Sequence, residues 1–349
     1  MTPRERWQAV LAHRLPDRVP TDYWGTAEIT AKLLRHFGLD TEAELWRKLR
    51  IDKVHGVGPR YIGPELPAGE DIWGLRRRTV EHAGGAGSYS EVANHPWAVY
   101  PSIDELEAGV TWPSADWWDY STIPAQIEAI GDYPRRGGGS EPFLLYCHLR
   151  GMEQGFMDLV LNPELAHHCL ERLYDLAYEQ TARILESARG EIDLIYVAED
   201  MGSQSGLLFS PGQIEEFFVP GFTRMIALGH DAGAKVFHHS DGAVRQIIPR
   251  MIELGIDVLN PIQWRCDGID RVELKASFGR EVVFHGAMDN QETLPFATPE
   301  AVAAEVRENI RTLGAGGGYV LAPCHNLQSI TPVANAIAMY ETAWEEGKY

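Results

Sequence analysis

Short unbroken apolar runs, separated by segments with helical spacing, organise this chain. Eight runs read as strands: Arg18–Trp24, Ile51–Val57, Phe143–Cys147, Leu194–Glu199, Lys235–His238, Asp257–Asn260, Val282–His285 and Tyr319–Pro323. Most are continuous rather than alternating, as expected of parallel strands buried on both faces. Helix starts punctuate the gaps. Thr2-Pro3-Arg4-Glu5 and Ser210-Pro211-Gly212-Gln213 read as capping boxes, the second before a helix over Ile214–Leu228. Val244–Leu254 is apolar at helical spacing and ends at Gly255. Thr298-Pro299 opens a helix to about Leu313, and Thr331-Pro332 opens the last one, through Ala343. Strand and helix alternating eight times predict an α/β fold, the (β/α)8 TIM barrel.

Residues 59–141 exceed a simple connection between the second and third predicted strands. They are rich in Gly, Pro and Trp, with strand-like pieces around Asp71–His82 and Gly87–Val92 and helical character near Ser102–Glu107. They read as an inserted, lid-like segment over the barrel mouth, and residues 1–349 read as one domain. The clusters Gly137-Gly138-Gly139 and Gly316-Gly317-Gly318 lie on the amino side of predicted strands. A phosphate cradle must open a helix, so both clusters read as plain turns.

Composition narrows the partners. Hydrophobic residues make up 44% of 349, enough for a sizeable core. A formal charge of −19 argues against nucleic acid or an anionic membrane as the main partner. The N-terminus lacks an apolar signal core, and no stretch approaches the roughly 20 apolar residues that span a bilayer. Cys147, Cys169, Cys266 and Cys324 are scattered, as for reduced thiols in a cytoplasmic protein.

Candidate chemistry sits where apolar runs stop in polar residues, the carboxyl edge where α/β active sites lie. If Phe237 faces the surrounding helices, alternation turns His238 and Ser240 toward the barrel axis and leaves His239 outward or in the turn. Asp241 follows in the loop. The eighth strand delivers Cys324, His325 and Asn326, and alternation does not decide between Cys324 and His325 after Pro323. His238 and His325 are the expected metal ligands, since neutral imidazole suits Zn²⁺ and a carboxylate can complete the set. Glu199 and Asp200 close the fourth strand; with Asp241 they are the expected acid–base groups. Trp24, His148, Arg150, Gln204, Gln263 and Asn326 are candidate substrate contacts, and His55, Cys147, His285 and Asp289 also lie near predicted strand ends. There is no Ser-His-Asp elbow, Walker loop or dinucleotide fingerprint.

Several stretches resemble the uroporphyrinogen decarboxylase superfamily, whose members are (β/α)8 barrels. They are Glu199-Asp200-Met201-Gly202-Ser203-Gln204 with Phe209-Ser210-Pro211, then His238-His239-Ser240-Asp241-Gly242, Gly255–Pro261 and Gly286-Ala287-Met288-Asp289. Leu321-Ala322-Pro323-Cys324-His325-Asn326, leading to Thr331-Pro332, completes the set. The resemblance implies one of two chemistries. Decarboxylases of the superfamily work without metal and hold an octacarboxylic tetrapyrrole with an N-terminal Met-Arg-Gln-Ala-Gly-Arg motif. Here the matching region reads Thr21-Asp22-Tyr23-Trp24-Gly25-Thr26, without those arginines. The corrinoid-dependent methyltransferases bind zinc through His-x-Cys after the fifth strand and Cys after the eighth. The resemblance sets His238, Ser240 and His325 at those places, a harder donor set suited to an oxygen substrate, with Asp241 or Glu199 as further ligands. The expected function is therefore zinc-dependent, methyltransferase-like: demethylation of a small methoxylated or methylated compound onto a corrinoid. No Asp-x-His-x-x-Gly corrinoid motif occurs, so the corrinoid is expected on a partner protein. A small-molecule substrate, that corrinoid protein and a second copy of the chain, as a homodimer, are the expected partners. The alternatives are metal-independent decarboxylation of uroporphyrinogen or another carboxylic acid, and a non-catalytic ligand-binding barrel.

Overall fold

The computed structural model describes residues 1–81 and 88–349. Its centre is a parallel sheet of seven strands in chain order. These are β1 (His55–Val57), β2 (Arg135–Ser140), β3 (Leu194–Ala198), β4 (Lys235–His239), β5 (Val258–Asn260), β6 (Val283–Met288) and β7 (Tyr319–Pro323). The first predicted strand appears as a parallel bridge, Thr21 to Leu321, beside β7. The Leu321 amide donates to the Pro20 carbonyl at 2.9 Å and the Asp22 amide to the Leu321 carbonyl at 3.0 Å. On its other side the Asp52 amide donates to the Thr21 carbonyl at 2.8 Å, just before β1. The sheet curls on itself with helices outside, a TIM-barrel-like α/β fold. No helix of the described residues is long and apolar enough to cross a membrane.

Alternation along the strands sorts two apolar layers. Leu194, Phe237, Val258, Val283 and Val320 point inward and pack on Trp7, Val10 and Leu11 of the helix Pro3–Leu11. Ile195, Val197, Val236, Leu259, Phe284 and Leu321 point outward into the larger core beneath the helices. Phe237 is thus an inner residue, which corrects the expected phase of this strand: His239 faces inward and His238 outward. An aromatic side chain fits either face of a strand buried on both sides, so periodicity alone misassigns it.

The expected strand at Phe143–Cys147 is a helix, Pro142–Arg150. A five-residue apolar run does not distinguish a buried strand from a buried helix. The strand lies earlier, and Gly137-Gly138-Gly139 is part of it rather than a turn. Register shifts between Arg136 and Gly139. Gly139 has φ +138°, and a Cβ there would come within 1.9 Å of the Tyr196 carbonyl oxygen, so only glycine lets the two backbones approach. The chain that leaves the sheet after Val57 therefore returns at Arg135, not after residue 141.

Between them lie the antiparallel strands Arg77–Glu81 and Ser88–Val92 and the helices Ile103–Gly109 and Ile123–Ile130. His82 and Gly87, at the ends of the two predicted strand-like pieces, lie outside the described residues. The helix expected over Ile214–Leu228 is instead a π turn, Ile214–Phe218, followed by an α-helix, Val219–Asp231. Pro220 has no amide to continue an α ladder through that point. The helix expected from Val244 begins at Ile248.

Candidate metal centre and adjoining cavity

Above the dry inner layer the inward side chains turn polar, and they bond to one another in a chain. His239 ends β4 opposite Asn260 at the end of β5. Its Nδ1 lies 2.5 Å from Asn260 Oδ1. Asn260 Nδ2 lies 2.7 Å from His285 Nδ1 on β6, and His285 Nε2 lies 3.3 Å from Asp22 Oδ2. Donor and acceptor roles follow from the ends inward. Asp22 accepts, so His285 carries its proton on Nε2 and accepts at Nδ1 from the Asn260 amide. Asn260 then offers its oxygen, so His239 is protonated on Nδ1 and exposes the lone pair of Nε2 to the mouth. Burial presses His285 below the ordinary histidine range, consistent with a neutral ring. Asp22 also accepts from Trp24 Nε1 at 3.0 Å and lies 4.0 Å from the Lys53 amine.

Two carboxylates meet that lone pair. His239 Nε2 lies 3.6 Å from Asp200 Oδ1 and 4.0 Å from Asp241 Oδ1. Candidate ligand atoms of Asp200, His239 and Asp241 lie within 4.8 Å of one another. The loops carrying the acids are fastened together. The Asp241 amide donates to Asp200 Oδ1 at 3.0 Å, the Gly202 amide to the Asp241 carbonyl at 3.1 Å and the Met201 amide to Ser240 Oγ at 3.0 Å. Gly242, at φ +92°, lets its backbone run against Gly202, where a Cβ would come within 2.4 Å of the Gly202 carbonyl carbon.

This arrangement fits a divalent cation. Asp241 Oδ1 is buried and has no hydrogen-bond partner. Burial, with Asp200 nearby, raises the Asp241 carboxyl above its usual range. A cation would relieve both. Metal bonds of about 2 Å at tetrahedral angles set donor atoms roughly 3–3.5 Å apart, so the 3.6 and 4.0 Å spacings from His239 would have to close somewhat around an ion. Glu141, half-buried at the start of the helix Pro142–Arg150, feels His239, Asp200 and Asp241; burial first and those two acids next push its carboxyl up to about 7.

A cavity of about 430 Å³ opens beside this centre, lined by Asp22, Trp24, Lys53, Arg136, Tyr196 and Asn326 among others. The rings of Trp24 and Tyr196, which line the cavity, each lie 5.8 Å from the His239 ring, so the imidazole stands against two of the wall's side chains.

The structure gathers some expected site residues and separates others. Asp200 and Asp241 meet; Trp24 and Asn326 line the cavity. Gln263 Oε1 accepts from the Gly242 amide at 2.6 Å and so braces the Asp241 loop. His325 lies near enough for its charge to act on Asp241 but is outside the three-residue group. Cys324 is buried with Sγ 3.3 Å from the Ile262 carbonyl. His238 turns away: its Nδ1 lies 2.9 Å from the Val197 carbonyl and its ring packs edge-on against Phe222. Burial lowers it to about 4. Glu199 also faces outward and accepts the Phe143 and Leu144 amides at 2.5 and 3.2 Å, at the start of the helix Pro142–Arg150. Arg150 is committed to Asp158 at 2.9 Å and to the Trp97 and Tyr100 carbonyls, tying the inserted segment to the barrel. His148 lies beside His95, whose ring bonds its carbonyl, and Gln204 is an exposed loop residue next to Cys266.

Sequence reading missed His239, Glu141, Asn260, Lys53 and Arg136. The spacing of His239 and Asp241 held a signal, because residues two apart in an extended chain share a face.

The family described as uroporphyrinogen decarboxylase (URO-D) matches residues 126–345, more than half of the sequence. The chain belongs to the uroporphyrinogen decarboxylase family. A uroporphyrinogen decarboxylase of Psychromonas ingrahamii is 24% identical over 62% of this chain, a match spanning 60% of that relative's own length. One of Nitrosospira multiformis is 22% identical over 90% of this chain and 78% of the relative. Among solved structures, a methyltransferase from Methanosarcina mazei covers 99% of both chains with a TM-score of 0.69 at 20% identity, a likeness of fold. Asp200 and Asp241, which frame the candidate metal centre, both fall inside the matched residues.

Proposed function

We propose that this member of the family is a metal-dependent, methyltransferase-like enzyme, with zinc the expected ion. It would demethylate a small methoxylated or methylated compound, with a corrinoid on a partner protein as acceptor. The carrying observation is the His239 lone pair, fixed by Asn260, facing the buried and unpartnered Asp241 Oδ1 with Asp200 beside it. His239 and Asp241 then stand where the methyltransferase branch has His-x-Cys, a register one residue later than His238 and Ser240.

Bound there, the ion would polarise an oxygen or nitrogen that carries the methyl group. A donor set of one imidazole and two carboxylates lacks thiolate and favours an oxygen substrate. A reduced corrinoid, brought by a partner protein, would supply the electron pair for the methyl carbon as its bond to oxygen breaks, and the departing oxygen would need a proton. Glu141, whose carboxyl is pushed up to about 7 and feels His239, Asp200 and Asp241, would hold that proton. The inserted segment would act as the lid, and the 349 residues as one domain, in the cytoplasm.

Elemental analysis of purified, untagged protein tests the reading. One equivalent of metal is expected, lost in His239→Ala and Asp241→Ala and kept in His238→Ala. Metal-free protein with full activity would overturn it. Metal-independent decarboxylation is the second reading, favoured by the names of the curated relatives. Against it, among the described residues only two cations, Lys53 and Arg136, line the cavity, a poor match to eight carboxylates. Clean carboxyl loss from the porphyrinogen without metal would establish it.

A further inference from the structure

Resting on that reading of the site, we infer that the substrate is a small planar carboxylate, an aromatic acid methylated on oxygen, whose acid group is held by Arg136. The residue enters the cavity from β2, where it registers opposite the inward-facing Leu194. Its guanidinium lies 4.8 Å from the centre of the Tyr196 ring. Stacking fixes the side chain there without neutralising it. Among the described residues no carboxylate forms an ion pair with it, whereas its neighbour Arg135 is taken by Glu191 at 2.8 Å. In a chain of net charge −19, a half-buried guanidinium left without an acid is an anion site.

The other charges in the cavity are already engaged. Asp22 accepts from His285 and Trp24. Lys53 donates to the Tyr23 carbonyl at 2.7 Å and adds a second positive centre. Glu42 lies in the first turn of the helix Glu42–Leu49, where free backbone amides offset its charge.

Tyr196 joins the two ends of the site. The Arg136 guanidinium lies 4.8 Å from its ring and the His239 ring 5.8 Å from it. A molecule one aromatic ring long, lying along Tyr196 and Trp24, would put its acid at Arg136 and its methyl-bearing oxygen at the metal centre. A cavity of about 430 Å³ accommodates such a molecule.

Calorimetric titration with 4-methoxybenzoate, 3-methoxybenzoate and the uncharged 4-methoxybenzamide tests the inference, on zinc-loaded and on chelator-stripped protein. At least one of the acids is expected to bind about 10- to 100-fold more tightly than the amide. Arg136→Gln should abolish that preference, and Arg136→Lys should restore part of it. Thermal melts check that both variants fold. The preference should survive metal removal, so a failure of the metal reading leaves this result intact. Equal binding of acid and amide, no binding of either acid, or an unchanged preference in a folded Arg136→Gln protein would overturn the assignment.

Discussion

Replacing Asn260 by alanine should weaken metal binding without touching any proposed ligand. The asparagine is fully buried and serves both neighbours, accepting from His239 Nδ1 and donating to His285 Nδ1. Alanine leaves both ring nitrogens without a partner. Each unpaired buried group costs about 1–3 kcal/mol, so a stability loss of about 3 kcal/mol is expected. The effect on metal is separate. With no acceptor at Nδ1, the proton can move to Nε2, and the imidazole loses the tautomer and orientation that present a lone pair to Asp200 and Asp241. Removing such an outer partner typically lowers metal affinity 10- to 100-fold, or about 1.4–2.8 kcal/mol. Competition against a chromogenic chelator measures the affinity, and the absorption of the cobalt-substituted protein reports the ligand field. Leu259→Ala is the control. Leu259 is the neighbouring outward residue, almost fully buried, and its truncation costs a comparable 2–5 kcal/mol with no path to the imidazole. A folded Asn260→Ala protein with wild-type zinc affinity, or a Leu259→Ala protein weakened as much, would refute the reasoning.

Three further outcomes are expected. His238, held near 4 by burial against an ordinary 6.5, is neutral in the folded chain while the unfolded chain takes up a proton below about pH 6.5. Stability should therefore rise with pH between about 4 and 6.5, and urea melts should show His238→Asn losing about 2 kcal/mol less than wild type between pH 7 and pH 5; identical losses would count against it. Gly242→Ala puts a Cβ into the Gly202 backbone at φ +92°, so melts should show a loss of about 2 kcal/mol or more and chelator competition a weaker metal site. Glu199→Gln should cost about 1 kcal/mol by weakening the bonds at the helix start, with metal content and rate unchanged; a collapse in rate at full metal occupancy would put Glu199 in the chemistry.

Much of the fold was legible because parallel strands buried on both faces must be short apolar runs, and six of the seven sheet strands overlap such runs. The exception is instructive. Arg135–Ser140 contains two arginines and three glycines, and it pairs as a strand because Gly139 allows the Tyr196 carbonyl to come close. No apolar pattern marks it, while the apolar run beside it is a helix whose amides Glu199 caps. The location of the site was legible too, since Asp200, Asp241 and Asn326 all stand at carboxyl ends of strands. Its membership was not. One wrong phase at Phe237 exchanges His238 for His239, because every side chain on a strand changes face when the phase moves by one. Asn260 and His285 show their role only when β4, β5 and β6 lie side by side.

The position of that polar chain on top of a dry layer also explains why it can control one imidazole. Phe237 lies two residues before His239, Val258 two before Asn260 and Val283 two before His285, so each polar residue stands directly above an apolar one on its own strand. Beneath, Trp7 and Val10 close the layer. Asn260 and His285 are themselves fully buried, so water does not readily replace a missing partner there, and low local polarity strengthens each remaining bond while making each broken one expensive. A surface histidine would change tautomer freely at small cost. His239 does so only if Asn260 turns its amide, which places its nitrogen against His239 and its oxygen against His285, and forces His285 to give up its proton toward Asp22 or to rotate. The three residues can thus exchange states only together, so a substitution at His285 or Asp22, which touches no proposed ligand, should be felt at the metal through Asn260.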